Sequence, residues 1–400
     1  MKLFKKISCA VLALMLSGVI LYTDILFSFP AEITMYTNQE HNSSLGAGVT
    51  ISVPKDICAS AESKTVTPQK AGEYEVTLKV GDIIPFRKVK LSVSEQKSLL
   101  ASGQLIGLRI YNKGLIVTNL SPITSGGKAV CPAQEAGILP GDIILEINGS
   151  APKTTEDVAG LVKDSTTLTF LRNNTIKTVT LAPAKDDDSK APKLGIWVRD
   201  STAGVGTMTY IDSGTGSYGA LGHGISDSDT GVMFRVASGT IEKSSVVSVT
   251  KGKRGVPGEI SGSFSSRENP SGTVTLNCEA GIFGKLFSPS ELGGTDYPIG
   301  VMSQVETGDA FILSTVDGET REYRIRILRS MPFGTATKGL AIEVTDEELL
   351  RKTGGIIQGM SGSPIIQNGK LIGAVTHVLV NDPTRGYGIF IENMLNESGA

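Results

Sequence analysis

Beyond residue 31 the chain is dominated by short runs in which apolar and polar residues alternate. Gly48-Val49-Thr50-Ile51-Ser52-Val53, Glu73-Tyr74-Glu75-Val76-Thr77-Leu78-Lys79-Val80 and Arg87-Lys88-Val89-Lys90-Leu91-Ser92-Val93 have a period of two. That period belongs to strands with one buried face, and it predicts a small β-sandwich-like module over 31–98. A second series begins at Leu194-Gly195-Ile196-Trp197-Val198 and continues to Ile391. It includes Gly206–Ile211, Gly231–Val236 and Tyr323–Leu328, separated by Gly-rich turns. One unbroken apolar run stands apart. Lys2, Lys5 and Lys6 precede Ile7–Tyr22, and the apolar character continues past Asp24 to Phe29. A span needs ~20 residues, so 1–30 is expected to be a membrane anchor. The lysines stay in the cytoplasm and the rest is exported. No small-x-small cleavage site follows, which favours a retained anchor over a removed signal peptide.

Between the two strand-rich regions lies Gln134-Glu135-Ala136-Gly137-Ile138-Leu139-Pro140-Gly141-Asp142-Ile143-Ile144-Leu145-Glu146-Ile147-Asn148-Gly149, which resembles the bacterial PDZ signature. A PDZ domain is therefore expected over 99–184. Upstream, Ile106-Gly107-Leu108-Arg109-Ile110 reads as the loop and edge strand that would receive a peptide by β-addition. Thr155–Val162 reads as a capped helix forming the other wall of the groove. Lys185–Lys193 is charged, ends around a proline and lacks a large apolar residue until Leu194, so 185–193 is expected to be a linker and 194–400 a separate domain.

The candidate chemistry sits at Gly359-Met360-Ser361-Gly362-Ser363-Pro364. Small residues present one serine between an apolar approach and a hairpin marked by Asn368-Gly369. A serine nucleophile needs a base and backbone N–H groups facing the oxyanion. Gly359 and Ser361 are the candidates for those donors. The chain has three histidines. His223, in Ala220-Leu221-Gly222-His223-Gly224, has small neighbours that leave its ring accessible and is the candidate base. His377 lies on an apolar strand and reads as a core or groove residue, and His41 as an exposed one. With His before Ser the order is that of the chymotrypsin type, which places the acid between them. Asp296, Asp309, Asp317 and Asp346 are the candidates, Asp309 and Asp317 flanking an apolar run as strand-end or turn residues, and on the residues alone Asp346 does not rank above Asp309. Asp346 follows Thr345, which with Glu348 reads as a capping box. A Ser–Lys dyad through Lys352 or Lys370 is a mechanistic rival. About 200 residues of β-structure suit a chymotrypsin-like double barrel, with His from the first barrel and Ser from the second.

Composition narrows the classes. The formal net charge is −2, and outside the first six residues no basic block is long enough to suggest nucleic-acid binding. Cys9, Cys58, Cys131 and Cys278 are scattered through separate modules. They have neither zinc spacing nor a disulfide pattern, so no metal and no cofactor are expected.

The stretches Ala220–Gly224 and Gly354–Pro364, with Thr376-His377-Val378-Leu379-Val380-Asn381-Asp382-Pro383-Thr384, resemble the stage IV sporulation protein B family of sporulation serine peptidases. The resemblance covers anchor, PDZ unit and peptidase domain. It implies His223 as base, Ser361 as nucleophile and Asp346 as the acid. It also implies an extracytoplasmic enzyme between the membranes of the developing spore. Its substrate would be a membrane-bound regulator of an intramembrane protease, and it would cleave itself near its own N-terminus. A peptide or the enzyme's own chain would occupy the PDZ groove. Two other classes fit the same composition: a catalytically inactive PDZ scaffold at the membrane surface, and an esterase using the same residues.

Overall fold

The computed structural model describes residues 15–20, 23, 29, 31–46, 48–62, 65–264, 270–331 and 336–398. Most of the expected anchor, with Cys9, lies outside the described residues. Among those described, no helix is long and apolar enough to cross a membrane.

The N-terminal module forms as the alternation predicts. A five-stranded sheet runs Glu32–Tyr36, Ile84–Ser94, Gly72–Val80, Val49–Ser52, Ser44–Gly46, and a second sheet holds His41–Asn42, Thr65–Pro68 and Cys58–Glu62. Met35, Val49, Leu78 and Leu91 are buried in its core. His41 is not exposed. It is buried, with Nδ1 2.9 Å from the Ser303 hydroxyl and Nε2 2.9 Å from the Tyr36 N–H, so it pins this module to the C-terminal part of the chain. Burial pushes its pKa down to about 4, offset in part by the Tyr36 carbonyl.

Two barrels follow. In the first, Leu105–Leu120 pairs with Val236–Thr250, which pairs with Gly272–Cys278, then Gly281–Leu286, Ser217–Ala220 and Ile196–Ile211. The last strand pairs back to Leu105–Leu120 and closes the ring. Ile106, Leu108, Ile110, Met208, Ile241 and Ile282 fill it. The second is a closed barrel of Gly308–Ser314, Arg321–Ser330, Leu340–Val344, Asp382–Phe390, Lys370–Leu379 and Pro364–Gln367. Strand alternation builds it directly. Tyr323, Ile325 and Ile327 point inward while Glu322, Arg324 and Arg326 are exposed. Asn368 and Gly369 both have left-handed φ (50° and 71°) and make the tight hairpin their sequence signals.

The PDZ unit is an insertion in the first barrel, and this corrects the expected boundaries. The first half of Leu105–Leu120 is a barrel strand, and its second half pairs with Ile143–Ile147 of the PDZ unit. The chain leaves the barrel there, forms the PDZ unit and returns through Ile196–Ile211, which pairs with both halves. The signature turn folds as its residues require. The buried Asp142 carboxylate accepts from the Leu139 N–H at 2.9 Å and forms two hydrogen bonds with the Arg172 guanidinium, at 2.6 and 2.5 Å. Residues 185–193 are not a loose linker. Ala184–Lys185 pairs with Pro192–Lys193, and Asp186 gathers the Ser189 N–H, the Ser189 hydroxyl and the Lys193 ammonium.

This topology makes a sharp prediction. A chain beginning at Leu194 lacks the first barrel strand, so it should show no cooperative thermal transition by circular dichroism. A chain beginning at Glu95 should melt cooperatively. A cooperative melt of the shorter chain would restore an independent domain at 194–400.

Candidate active site

Ser361 occupies a loop that runs from the first barrel's edge into the second barrel. Gly359 and Gly362 both adopt φ near +95°, a region that side chains rarely enter. At Gly362 there is no room for one either, since a Cβ would lie 2.1 Å from the Thr207 carbonyl oxygen and 2.5 Å from the Leu221 nitrogen. The first barrel grips the loop. The Thr207 N–H donates to the Ser361 carbonyl (2.9 Å), the Thr207 hydroxyl to the Gly359 carbonyl (2.7 Å) and the Thr209 hydroxyl to the Gly362 carbonyl (2.8 Å). From the other side the Gly362 N–H donates to the Val375 carbonyl at 2.8 Å. Among the described residues neither the Gly359 nor the Ser361 N–H meets an acceptor within the protein. Both expected oxyanion donors are therefore unspent.

His223 is delivered to the same place by the turn after Ser217–Ala220. Leu221 and Gly222 are both left-handed (φ 67° and 68°). For leucine this conformation costs roughly 1–3 kcal/mol and must be enforced by its surroundings. Here the Leu221 N–H donates to the Thr207 carbonyl at 3.2 Å. The Gly222 Cα lies so close to Thr376 and Ile389 that a Cβ would meet both at 3.0 Å. The His223 Nδ1 lies 2.9 Å from the Gly224 carbonyl oxygen. A carbonyl only accepts, so Nδ1 carries the proton and Nε2 keeps its lone pair, the tautomer a general base needs. Burial lowers the pKa of His223, with the Gly224 carbonyl opposing it. The Ser361 hydroxyl donates to the Thr376 carbonyl at 2.9 Å. The next residue, His377, has its ring centre 5.2 Å from that of His223. The structure thus brings His223 and Ser361 together around Thr207 and Thr376.

Among the described residues Asp346 is held by partners other than His223 and Ser361. Asp346, rather than Thr345, is the N-cap of the helix Glu347–Thr353, and its side chain accepts from the N–H groups of Glu348 and Leu349. Its second oxygen takes the Arg324 N–H at 3.3 Å. A first-turn carboxylate facing unpaired helix N–H groups is well satisfied where it is. Asp309 is no substitute: its side chain is 92% exposed and pairs with Arg326. The dyad lysines are engaged elsewhere too, Lys352 with Asp317 and Lys370 with Gln39 of the N-terminal module.

The expected peptide-binding strand is also displaced. Ile106, Gly107, Leu108, Arg109 and Ile110 are paired on both sides, by Ile196–Ile211 and by Val236–Thr250, so no edge is free there. The alternation that suggested an edge strand is that of a barrel wall. Among the described residues the open edge belongs to Ile196-Trp197-Val198, which pairs only with residues 117–120. It faces the short helix Asp157–Leu161 across a cavity of about 550 Å³ lined by Thr155, Val158, Ala159, Val162 and Leu194–Val198. Gly195 (φ +79°) makes the turn into that strand where a Cβ would press on Cys131 Sγ and the Ser121 carbonyl. The signal was Leu194-Gly195-Ile196, a glycine between apolar residues at a strand start.

Residues 190–395 match the SpoIVB peptidase S55 family, and 124–172 match the PDZ domain family. The chain belongs to the SpoIVB peptidase S55 family. It is a serine peptidase carrying a PDZ domain. Solved structures it is similar to include the Rv3671c protease of M. tuberculosis. The inactive form of that protease is 16% identical over 49% of this chain and 85% of that one, with a TM-score of 0.29. Its active form is 15% identical over 50% and 75%, at 0.30. The thermostable serine protease AL20 from an extremophilic microorganism is 14% identical over 50% and 92%, at 0.31.

The cap at Asp346 separates two roles for that residue. Asp346→Ala should cost about 1 kcal/mol of stability in chemical denaturation. Asp346→Asn, which also caps, should be nearly neutral in stability and keep most peptidase activity. A folded Asp346→Asn enzyme slowed by several orders of magnitude would make Asp346 the triad acid.

Proposed function

We propose that this peptidase is an exported, membrane-associated endopeptidase that works through an acyl-enzyme on Ser361. In this reading the hydroxyl gives up its bond to the Thr376 carbonyl and attacks the scissile carbonyl carbon while His223 Nε2 takes its proton. The Gly359 and Ser361 N–H groups receive the oxyanion, the imidazolium protonates the departing amine, and water releases the acyl group by the reverse sequence. The observation that carries the reading is the interlock of two left-handed turns. One presents a serine beside unspent N–H donors, the other a histidine in the base tautomer, and both are tied to Thr207.

Membership of the SpoIVB peptidase S55 family supports a sporulation signalling role. The substrate is then a membrane-bound regulator of an intramembrane protease, and the chain also cleaves itself near its N-terminus. The lysines and apolar run at the start of the sequence support anchorage with the barrels outside the cytoplasm. The PDZ cavity supports a polypeptide ligand, from this chain or a membrane partner, added as a strand along Ile196–Val198.

Ser361→Ala should abolish both self-cleavage and labelling by a fluorophosphonate, with an unchanged melting temperature. Persistent proteolysis in that variant would exclude the assignment. The pH profile gives a second check. A base must be neutral, and burial lowers the pKa of His223 from its ordinary 6.5. The acid limb of kcat/KM should therefore fall below pH 6.5, and a limb above it would contradict His223 as base. Trp197 is the chain's one tryptophan, 63% exposed at the cavity. Peptides that add to this groove should shift its emission, and Ala159→Arg should remove the shift. Binding without any change in emission would place the ligand elsewhere.

A further inference from the structure

The N-terminal module carries an apolar hairpin tip that nothing among the described residues covers. Gly72–Val80 and Ile84–Ser94 are joined by Gly81-Asp82-Ile83, with Gly81 and Asp82 both left-handed (φ 58° and 64°). Turns of this kind are filled by glycine and polar residues, yet the chain continues Ile83-Ile84-Pro85-Phe86. Ile83 is 80% exposed and Ile84 63%. One exposed apolar residue is ordinary, whereas adjacent isoleucines at a tip, backed by an aromatic pair, form a patch. That pair is Phe86 with Phe29, their ring centres 6.5 Å apart and their planes at 67°.

The sheet decides where this tip lies. Glu32–Tyr36 pairs in parallel with Ile84–Ser94, Glu32 beside Lys90 and Tyr36 beside Ser94. In a parallel pair both chains enter at the same end, so the segment that precedes Glu32 comes in beside the tip. Two contacts extend that line backwards. The Lys90 N–H donates to the Ala31 carbonyl at 3.0 Å, and the Arg87 guanidinium to the Phe29 carbonyl at 2.6 Å. Phe29 is the last residue of the apolar run expected to enter the membrane. Beyond the opposite end of the same strands the chain meets the second barrel region, where the Gln96 amide donates to the Ile299 carbonyl at 2.9 Å and His41 meets Ser303.

We propose that this hairpin is a second membrane contact: Ile83 and Ile84 enter the lipid surface beside the anchor, and the module stands on the bilayer at two points. This rests on the reading of 1–30 as an anchor. Lipid is the occupant because the anchor leads from the bilayer to Phe29, and Phe29 packs on the tip's own Phe86. Asp82 at the turn, with Lys79 and Arg87 on the flanking strands, keeps the insertion shallow. The apolar side chains reach the acyl boundary while the charges stay among the headgroups. One point of attachment leaves the module free to swivel, and a second fixes its tilt. Ile84–Ser94 has eleven residues, roughly 35 Å as a strand, so the second barrel is held about that far from the lipid.

The test reconstitutes the full chain into vesicles of phosphatidylethanolamine and phosphatidylglycerol that carry a diazirine in the acyl chains. Photo-adducts are then mapped by mass spectrometry. Two sets are expected, one on residues 1–30 and one on 83–86. The double variant Ile83→Ser, Ile84→Ser should lose the second set about tenfold or more and keep the first. Its melting temperature should be unchanged, since exposed side chains contribute little to stability. Adducts confined to 1–30 overturn the proposal and leave the hairpin as a contact for another protein. Equal adducts on 83–86 in the double variant overturn it as well, because the isoleucines are then not what enters the lipid. A chain with adducts on neither segment sinks the anchorage reading itself, and the proposal with it.

Discussion

Three hydrogen bonds from Thr207 and Thr209 to the serine loop are the constraint on which the rest of the structure depends. They tie the carbonyls of Gly359, Ser361 and Gly362, in the second barrel's approach, to one strand of the first. All of these groups are buried or nearly so, so each bond is expensive to leave unmade. The Gln358 carbonyl accepts the Ile260 N–H of the first barrel's edge and the Met360 carbonyl accepts the Ser363 N–H; across each planar trans peptide the next N–H, that of Gly359 and that of Ser361, points the opposite way. The orientation an oxyanion site needs thus follows from how the two barrels are joined. The same Thr207 carbonyl accepts the Leu221 N–H and holds the strained turn that carries His223. His223 and Ser361 are positioned from one residue.

That residue belongs to the strand Ile196–Ile211, which has an unusual span. Its first residues line the PDZ cavity, and its middle pairs with the barrel strand Leu105–Leu120. Residues 207 and 209 then reach the serine loop. The insertion of the PDZ unit between two adjacent barrel strands is what makes this continuity possible. A PDZ domain joined by a flexible linker would share no backbone with the active site. Here the open edge at the PDZ cavity and the residues that hold the serine loop belong to the same sixteen-residue element.

Much of this was legible in the sequence, and the misses have physical causes. The Gly359–Pro364 and Leu221–Gly224 stretches advertised tight turns because close backbone approach and left-handed angles admit few residues but glycine. The period-two alternation of Tyr323–Ile327 and Gly72–Val80 showed strands for an equally local reason. Ile106–Ile110 misled because alternation reports one buried face and says nothing of whether both strand edges are paired, which is a long-range fact. Asp346 read as part of a helix start on the residues and as the acid only through the family resemblance, because a carboxylate there serves a helix N-terminus as readily as a histidine. Only the geometry of Arg324, Glu348 and Leu349 around it decides for the cap. The charged run at 185–193 looked like a linker because composition cannot show that Asp186 closes a hairpin.

The central claim is that one hydroxyl, one imidazole and two backbone N–H groups meet in the crevice between the barrels. A crystal structure of the chain after reaction with diisopropyl fluorophosphate tests it most directly. The account predicts phosphorus bonded to Ser361 Oγ, the phosphoryl oxygen within about 3 Å of the Gly359 and Ser361 nitrogens, and the His223 ring beside the adduct. Phosphorus on any other residue, or a phosphoryl oxygen turned away from both nitrogens, would contradict it.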